Sequence, residues 1–212
     1  MKFALLLAAL ALLPAVPAHA TFLTTDPHTF TVSSRHRIRL EFPVGQLRIL
    51  PSNDSRVRFD IKVRCRGRSE ERCEELANRL VLDSDDTGGK LHLKLRRYPK
   101  WNTNGMTVIG ELRVPRSLAL EIQMGVGELD IEDLEGDLDI DLGVGDAEIR
   151  ASRAQSSHVS VETGIGDAEI RGGGSGTRSR GFIGSHAVWT DGGGRSQVRL
   201  HVGVGDATVR LE

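Results

Sequence analysis

A seven-residue pattern, G-[VI]-G-x-[LA]-x-[IV], recurs along the second half of the chain and limits its fold more than any other feature. It reads Gly125-Val126-Gly127-Glu128-Leu129-Asp130-Ile131, then Gly143 to Ile149, Gly164 to Ile170 and Gly203 to Val209. The second glycines, 127, 145, 166 and 205, stand 18, 21 and 39 residues apart, and the long step leaves room for a degenerate copy at Ile183-Gly184-Ser185-His186. Between copies lie alternating stretches, Asp137–Leu142, His158–Glu162 and Gln197–Val202, whose aliphatic residues share one face. Each unit of about twenty residues thus holds two short strands and two turns, with glycine where the backbone must bend sharply. Such a unit cannot bury its apolar face alone, whereas stacked units share a core. The expected class is all-β, a repeat-built β-solenoid; a β-sandwich of hairpins is the alternative.

The first part of the chain carries a weaker copy, Pro43-Val44-Gly45-Gln46-Leu47-Arg48-Ile49. Arg35–Phe42 and Val57–Arg64 alternate apolar with charged residues and read as strands with one buried face. Ser69 can cap a helix with Glu70 and Glu71 in its first turn and Cys73, Leu76, Ala77 and Leu80 at helical spacing, ending near Leu82. Strands resume at Leu91–Leu95 and Thr107–Val114, across a loop at Tyr98–Asn102. Aromatics make up 4% of residues and glycines number 24, so the core must come mainly from Val, Ile, Leu and Ala between tight turns. The expected organisation is a leader over 1–20, a strand-helix-strand region over 21–114 and repeats over 115–212, the last two continuous.

The leader is read from Met1-Lys2, the apolar run Phe3–Leu13, Pro14 and the small-x-small site Ala18-His19-Ala20. A run of about eleven residues is too short to span a bilayer as a helix. Cleavage near Ala20 would export the chain to the periplasm, the cell surface or the medium. There Cys65, ending a strand, and Cys73, on the apolar stripe of the next helix, are expected to form a disulfide. The G-[VI]-G-D-A-E-[IV] copies behind such a leader and a strand-helix-strand entry resemble the putative-adhesin family of bacterial envelope proteins with β-strand repeats, a domain of unknown function. The resemblance covers most of the chain, implies a β-solenoid at the surface or in the periplasm, and supplies no catalytic residues.

The net charge of −1 hides an asymmetry. Arginines and lysines crowd positions 35–68, and carboxylates crowd 128–148. Period-two alternation in Asp137-Leu138-Asp139-Ile140-Asp141-Leu142 turns all three aspartates outward. Stacking is expected to set Asp130, Glu148 and Glu169 in a further outward column. These six residues form the candidate binding surface, for an envelope or surface partner that is protein or glycan and not nucleic acid. No histidine stands in an H-x-x-x-H pair, and no nucleophile elbow occurs, so no catalytic residue, metal or cofactor is expected. His186 aligns with the inward Ala147 and Ala168, which marks an irregular unit. Asp146 and Asp167 directly follow a glycine, unlike the nine-residue calcium β-roll, and are expected to cap their own turn amides. The glycine runs 172–176 and 192–194 lack G-K-[ST] and read as corners. The leading expectation is a non-enzymatic binding or structural protein of the envelope. A periplasmic sensor or modulator of envelope-stress signalling, working through the basic N-terminal sheet, is the alternative, and a carbohydrate-active β-helix enzyme is a distant third.

Overall fold

The computed structural model describes residues 21–24, 27–67, 70–98, 105–172, 177–179, 183–190 and 193–212. The expected leader over 1–20, the helix cap at Ser69, the loop tip at 99–102 and most of the glycine run 172–176 lie outside them. In chain order the elements are β1 (Thr21–Thr24), β2 (His28–Thr31), β3 (Arg37–Ser52), β4 (Arg56–Cys65), α1 (Glu70–Ala77), β5 (Val81–Thr87), β6 (Lys90–Arg96) and β7 (Met106–Pro115). They continue as β8 (Ala119–Leu134), β9 (Leu138–Ala151), β10 (Ser156–Ile165), β11 (Ala168–Arg171), β12 (Thr177–Ser179), β13 (Ser185–Thr190), β14 (Ser196–Val204) and β15 (Ala207–Leu211). The described residues are all-β with one short helix, and their strands join in one open sheet.

Straight, the sixteen residues of β8 would reach about 50 Å. Yet the Glu135 amide just beyond its end donates to the Arg116 carbonyl before its start at 2.8 Å, so the strand doubles back. The fold lies at Gly125–Glu128, where the inward alternation Leu120, Ile122, Met124 breaks and restarts at Leu129 and Ile131. After three linking residues β9 runs parallel to β8, with Leu138 beside Leu120 and Ile149 beside Ile131. Parallel neighbours ordinarily need a crossover of a dozen residues or more; here the second limb of each bent strand serves as that crossover. Burying Leu138, Ile140 and Leu142 stabilises this layer by about 1.5–3 kcal/mol per side chain.

Glycine sets how closely the bent strands stack. Gly45 lies beside Gly127, and Gly127 beside Gly145. Gly45, Gly127, Gly145, Gly166 and Gly205 have φ between 132° and 146°, and a Cβ at any of them would stand 1.7–2.2 Å from a neighbouring strand's carbonyl oxygen. No other residue fits both the torsion and the space.

The stacking order departs from sequence order. Through the middle it runs β3, β8, β9, β14, β10, β13, so β14 lies between two strands that precede it. The segment read as a degenerate copy is an antiparallel edge strand: β13 pairs with β10, Ser185 is buried and His186 points outward. The cause is local. Gly184, at the second glycine position, has φ 71° and nothing within 4 Å of an added Cβ, so the close-stacked corner of the other copies is not formed there.

The helix ends at Ala77 rather than near Leu82, because Val81–Thr87 forms a hairpin with β6 across Gly88-Gly89, both at positive φ. Gly-Gly at a two-residue turn matches the twist of a hairpin. Cys73, Leu76 and Ala77 are the buried face of α1, and Cys73 bonds to Cys65 with a Cα separation of 6.0 Å. Among the described residues one edge-on aromatic pair forms, Phe42 and Phe59, 6.4 Å apart, within a mainly aliphatic core.

Candidate functional site

Because β9 alternates, Leu138, Ile140 and Leu142 enter the core while Asp137, Asp139 and Asp141 face solvent. The side chains of Asp139 and Asp141 are 60% and 66% exposed. On one flank, β8 places Glu121 and Gln123 beside them; on the other, β14 places Arg199 and His201. Asp139 meets Arg199 at 4.0 Å and Asp141 meets His201 at 3.4 Å. Asp137 works differently, since its Oδ1 accepts the Gln197 amide at 3.0 Å and so fastens β14 to β9.

Across the sheet these residues belong to longer rows. One row runs Lys94, Glu41, Gln123, Asp141, then His201, Glu162 and His186. His186 Nε2 lies 3.4 Å from Glu162, and His92 Nε2 lies 2.8 Å from Glu41. The Lys94 ammonium beside Glu41, with His92 adding to it, holds that carboxyl below the usual carboxylate range against the opposing effect of burial. Neither an H-x-x-x-H spacing nor a nucleophile elbow reaches these histidine–carboxylate pairs. Their carboxylate partners stand about fifty or sixty residues away for His92 and His201, and the alternation of β14 is the one signal that turns His201 outward.

Asp130, Glu148 and Glu169 do not form the expected exposed column. Asp130 neighbours Glu148, but Thr208 separates Glu148 from Glu169. All three are half-buried, because arginines on the same face fold over two of them: Arg150 and Arg210 over Glu148, and Arg171 over Glu169. The hydrogen bond from Arg210, chiefly, holds the Glu148 carboxyl below its ordinary range. The structure therefore keeps Asp137, Asp139 and Asp141 together and places the other three candidates on the opposite limb of the bent strands, among arginines.

Asp146 also departs from the expected cap of its own turn. Asp146 Oδ1 accepts the Asp206 amide, and Asp206 Oδ1 accepts the Asp167 amide, each at 3.0 Å. They cap the next strand's turn rather than their own, which links the stacked corners. Among the described residues no three His, Cys, Asp or Glu side chains converge as a metal site requires, and no helix is long and apolar enough to cross a membrane. In the N-terminal sheet Arg39, Arg48 and Arg58 are engaged by Glu121, Glu132 and Asp54 respectively, so much of the basic charge there is matched.

Bent strands stacked glycine on glycine, with charge on their outward faces, define a class of all-β protein. The model of the N-terminal domain of toast_rack, Toast_rack_N (DUF2154), matches residues 32–171, and the chain belongs to that family. A crystal structure of a "putative cell adhesion protein" from Clostridium sporogenes superimposes with a TM-score of 0.52 at 15% identity, over 88% of this chain and 99% of that one, and shows the shared fold. A "putative adhesin" from Bacteroides fragilis overlaps over 91% and 97% of the two chains at 10% identity, with a TM-score of 0.30. No curated protein matches the chain.

Proposed function

We propose that the protein is exported after cleavage near Ala20, forms a β-solenoid over 115–212 continuous with the strand-helix-strand region over 21–114, and acts without catalysis by binding a basic partner through the outward face of Asp137, Asp139 and Asp141. The eighteen-residue return of the chain from Leu120 to Leu138 supports the solenoid reading. The observation that carries the binding reading is the exposure of Asp139 and Asp141, 60% and 66%, where Glu41 and Glu121 in the same rows are only 22% and 26% exposed beneath their cations. Catalytic carboxylates work in clefts where burial tunes them, and these stand in open solvent. A field of this sign draws a positively charged surface and weakens with salt.

Changing all three aspartates to asparagine tests this. Asparagine keeps a carbonyl oxygen for the Gln197 amide, so the melting curve should hold or rise slightly as like-charge repulsion is removed. Binding to isolated envelopes should weaken, and its dependence on salt should flatten. Unchanged binding with an unchanged salt slope would leave the aspartates as a solvated surface and end the reading.

A further inference from the structure

The outward acidic rows do not account for the apolar surface that the protein leaves in solvent. Val126, Val144, Val204 and Ile165, the central residues of the four G-[VI]-G copies, are 46%, 46%, 42% and 44% exposed. The stacking register sets them side by side, and half-buried Val44 continues the row. The antiparallel pairing of β13 extends it further. Thr163 pairs with Ser185 and the Gly184 amide donates to the Gly164 carbonyl at 2.9 Å, so the same register carries Ile183, 75% exposed, opposite Ile165. Five aliphatic residues on five neighbouring strands, with Ile183 just before a sixth, thus form one ridge about 24 Å long. Contiguous apolar surface on this scale marks interaction sites in soluble proteins.

A groove of about 470 Å³ runs beside the ridge, floored by Pro43, Gly125, Gly143 and Gly203, with Leu95 and Lys94 at one end. Charge decides what fits. Two residues beyond the ridge on one side stand Glu128, Asp146, Asp206 and Asp167. Beyond the groove on the other side stand Glu41, Asp141 and Glu162, separated by Gln123 and His201, with Lys94 at the end beside Glu41. Carboxylates on both flanks repel an anionic lipid surface. A second copy would bring the same acidic flanks against each other.

We propose that the ridge is a docking site for an amphipathic polypeptide segment whose aliphatic stripe is bordered on both sides by lysine or arginine. A helix of about sixteen residues has the length of the ridge. The sign of the partner's charge rests on the reading of the acidic face given above; the ridge itself is a separate row of residues.

The test uses the full chain and two synthetic helical peptides with the same leucine stripe, one with lysine flanks and one with glutamate flanks. Fluorescence anisotropy should show the lysine peptide binding at least about tenfold more tightly. The substitutions Val126→Thr, Val144→Thr and Val204→Thr together should weaken it by about tenfold or more while the melting curve holds. Should that variant unfold, Ile183→Ser at the open end of the ridge serves instead, with a smaller loss expected. Equal binding of the two peptides, or unchanged binding to both ridge variants, overturns the proposal. So does flotation of the parent, but not the ridge variant, on phosphatidylglycerol vesicles, or a parent dimer in sedimentation that the ridge variant abolishes. If the threonine variant loses the peptide while the Asp137, Asp139 and Asp141 variant still binds envelopes normally, the acidic-face reading fails and the ridge survives. The converse pattern does the reverse.

Discussion

Replacing Gly145 with alanine should come close to unfolding the protein, although it adds one methyl group. Gly145 has φ 134°, and its Cβ would lie 1.7 Å from the Gly127 carbonyl oxygen. Holding a non-glycine residue in such a region costs about 1–3 kcal/mol. Relieving the contact requires β8 and β9 to part by more than about 1 Å at the corner, which gives up two or so ladder hydrogen bonds at about 1 kcal/mol each. The total is about 4 kcal/mol, a large share of the roughly 5–15 kcal/mol that stabilises a domain. Gly88→Ala is the control. It has positive φ, 62°, and nothing within 4 Å of the added carbon, so it should cost only about 1–2 kcal/mol. Urea unfolding of both variants at a common slope measures the two values. If Gly145→Ala costs no more than Gly88→Ala, the close stack of glycine corners does not set strand spacing, and the account of the fold given above is wrong at its base.

Two further outcomes follow from the N-terminal part. Replacing Cys65 and Cys73 together with serine opens the loop between positions eight residues apart, and should lower stability by about 2.5 kcal/mol in the chain-entropy model, read as a shift in the urea midpoint at constant slope. The Arg58 guanidinium, then the Ser52 hydroxyl, hold the Asp54 carboxyl down at about 2. Since the folded value is depressed, the contribution of Asp54 is present above its ordinary range near 4 and is lost as pH falls toward 2. NMR titration should place the midpoint there, and Arg58→Leu should raise it toward 3.8; a midpoint near 3.8 in the parent would show that the ion pair does not persist in solution.

The glycine corners were legible because a backbone constraint acts on the residue that carries it. Gly127, Gly145, Gly166 and Gly205 all stand where the repeat put them, at positive φ against a neighbouring carbonyl. The outward turn of Asp137, Asp139 and Asp141 was legible for a similar reason, since the period of two belongs to the strand alone. The disulfide was legible from strand end and helix stripe. What stayed hidden depends on which strand lies next to which. Thr208 separates Glu148 from Glu169, and His201 lies against Asp141, because β14 and β15 stack on β9. Copies sharing one motif stack on one another equally well in any order, so the motif carries no information about sequence in space. The hairpin at Thr87-Gly88-Gly89-Lys90 was obscured differently, by helical periodicity in Cys73–Leu80 that runs on past the true end of α1.

The turn at 152–155 supplies the missing order. β9 and β10 follow one another in the chain, yet they are held two strand spacings apart, about 10 Å, a gap four residues can bridge. Both ends of the C-terminal unit are tied to that turn. The amides of Arg195 and Ser196 donate to the Gln155 carbonyl at 2.8 and 3.0 Å, while at the other end the Arg153 amide donates to the Glu212 carbonyl at 2.8 Å. The approach is close enough that a Cβ on Gly194 would lie 2.2 Å from the Gln155 oxygen. The last strands therefore lie between β9 and β10, across the spacing that the 152–155 turn spans. Arg199 and His201 reach Asp139 and Asp141 only through β14, so the charge on that face depends on the pairing of the C-terminal strands and not on β9 alone.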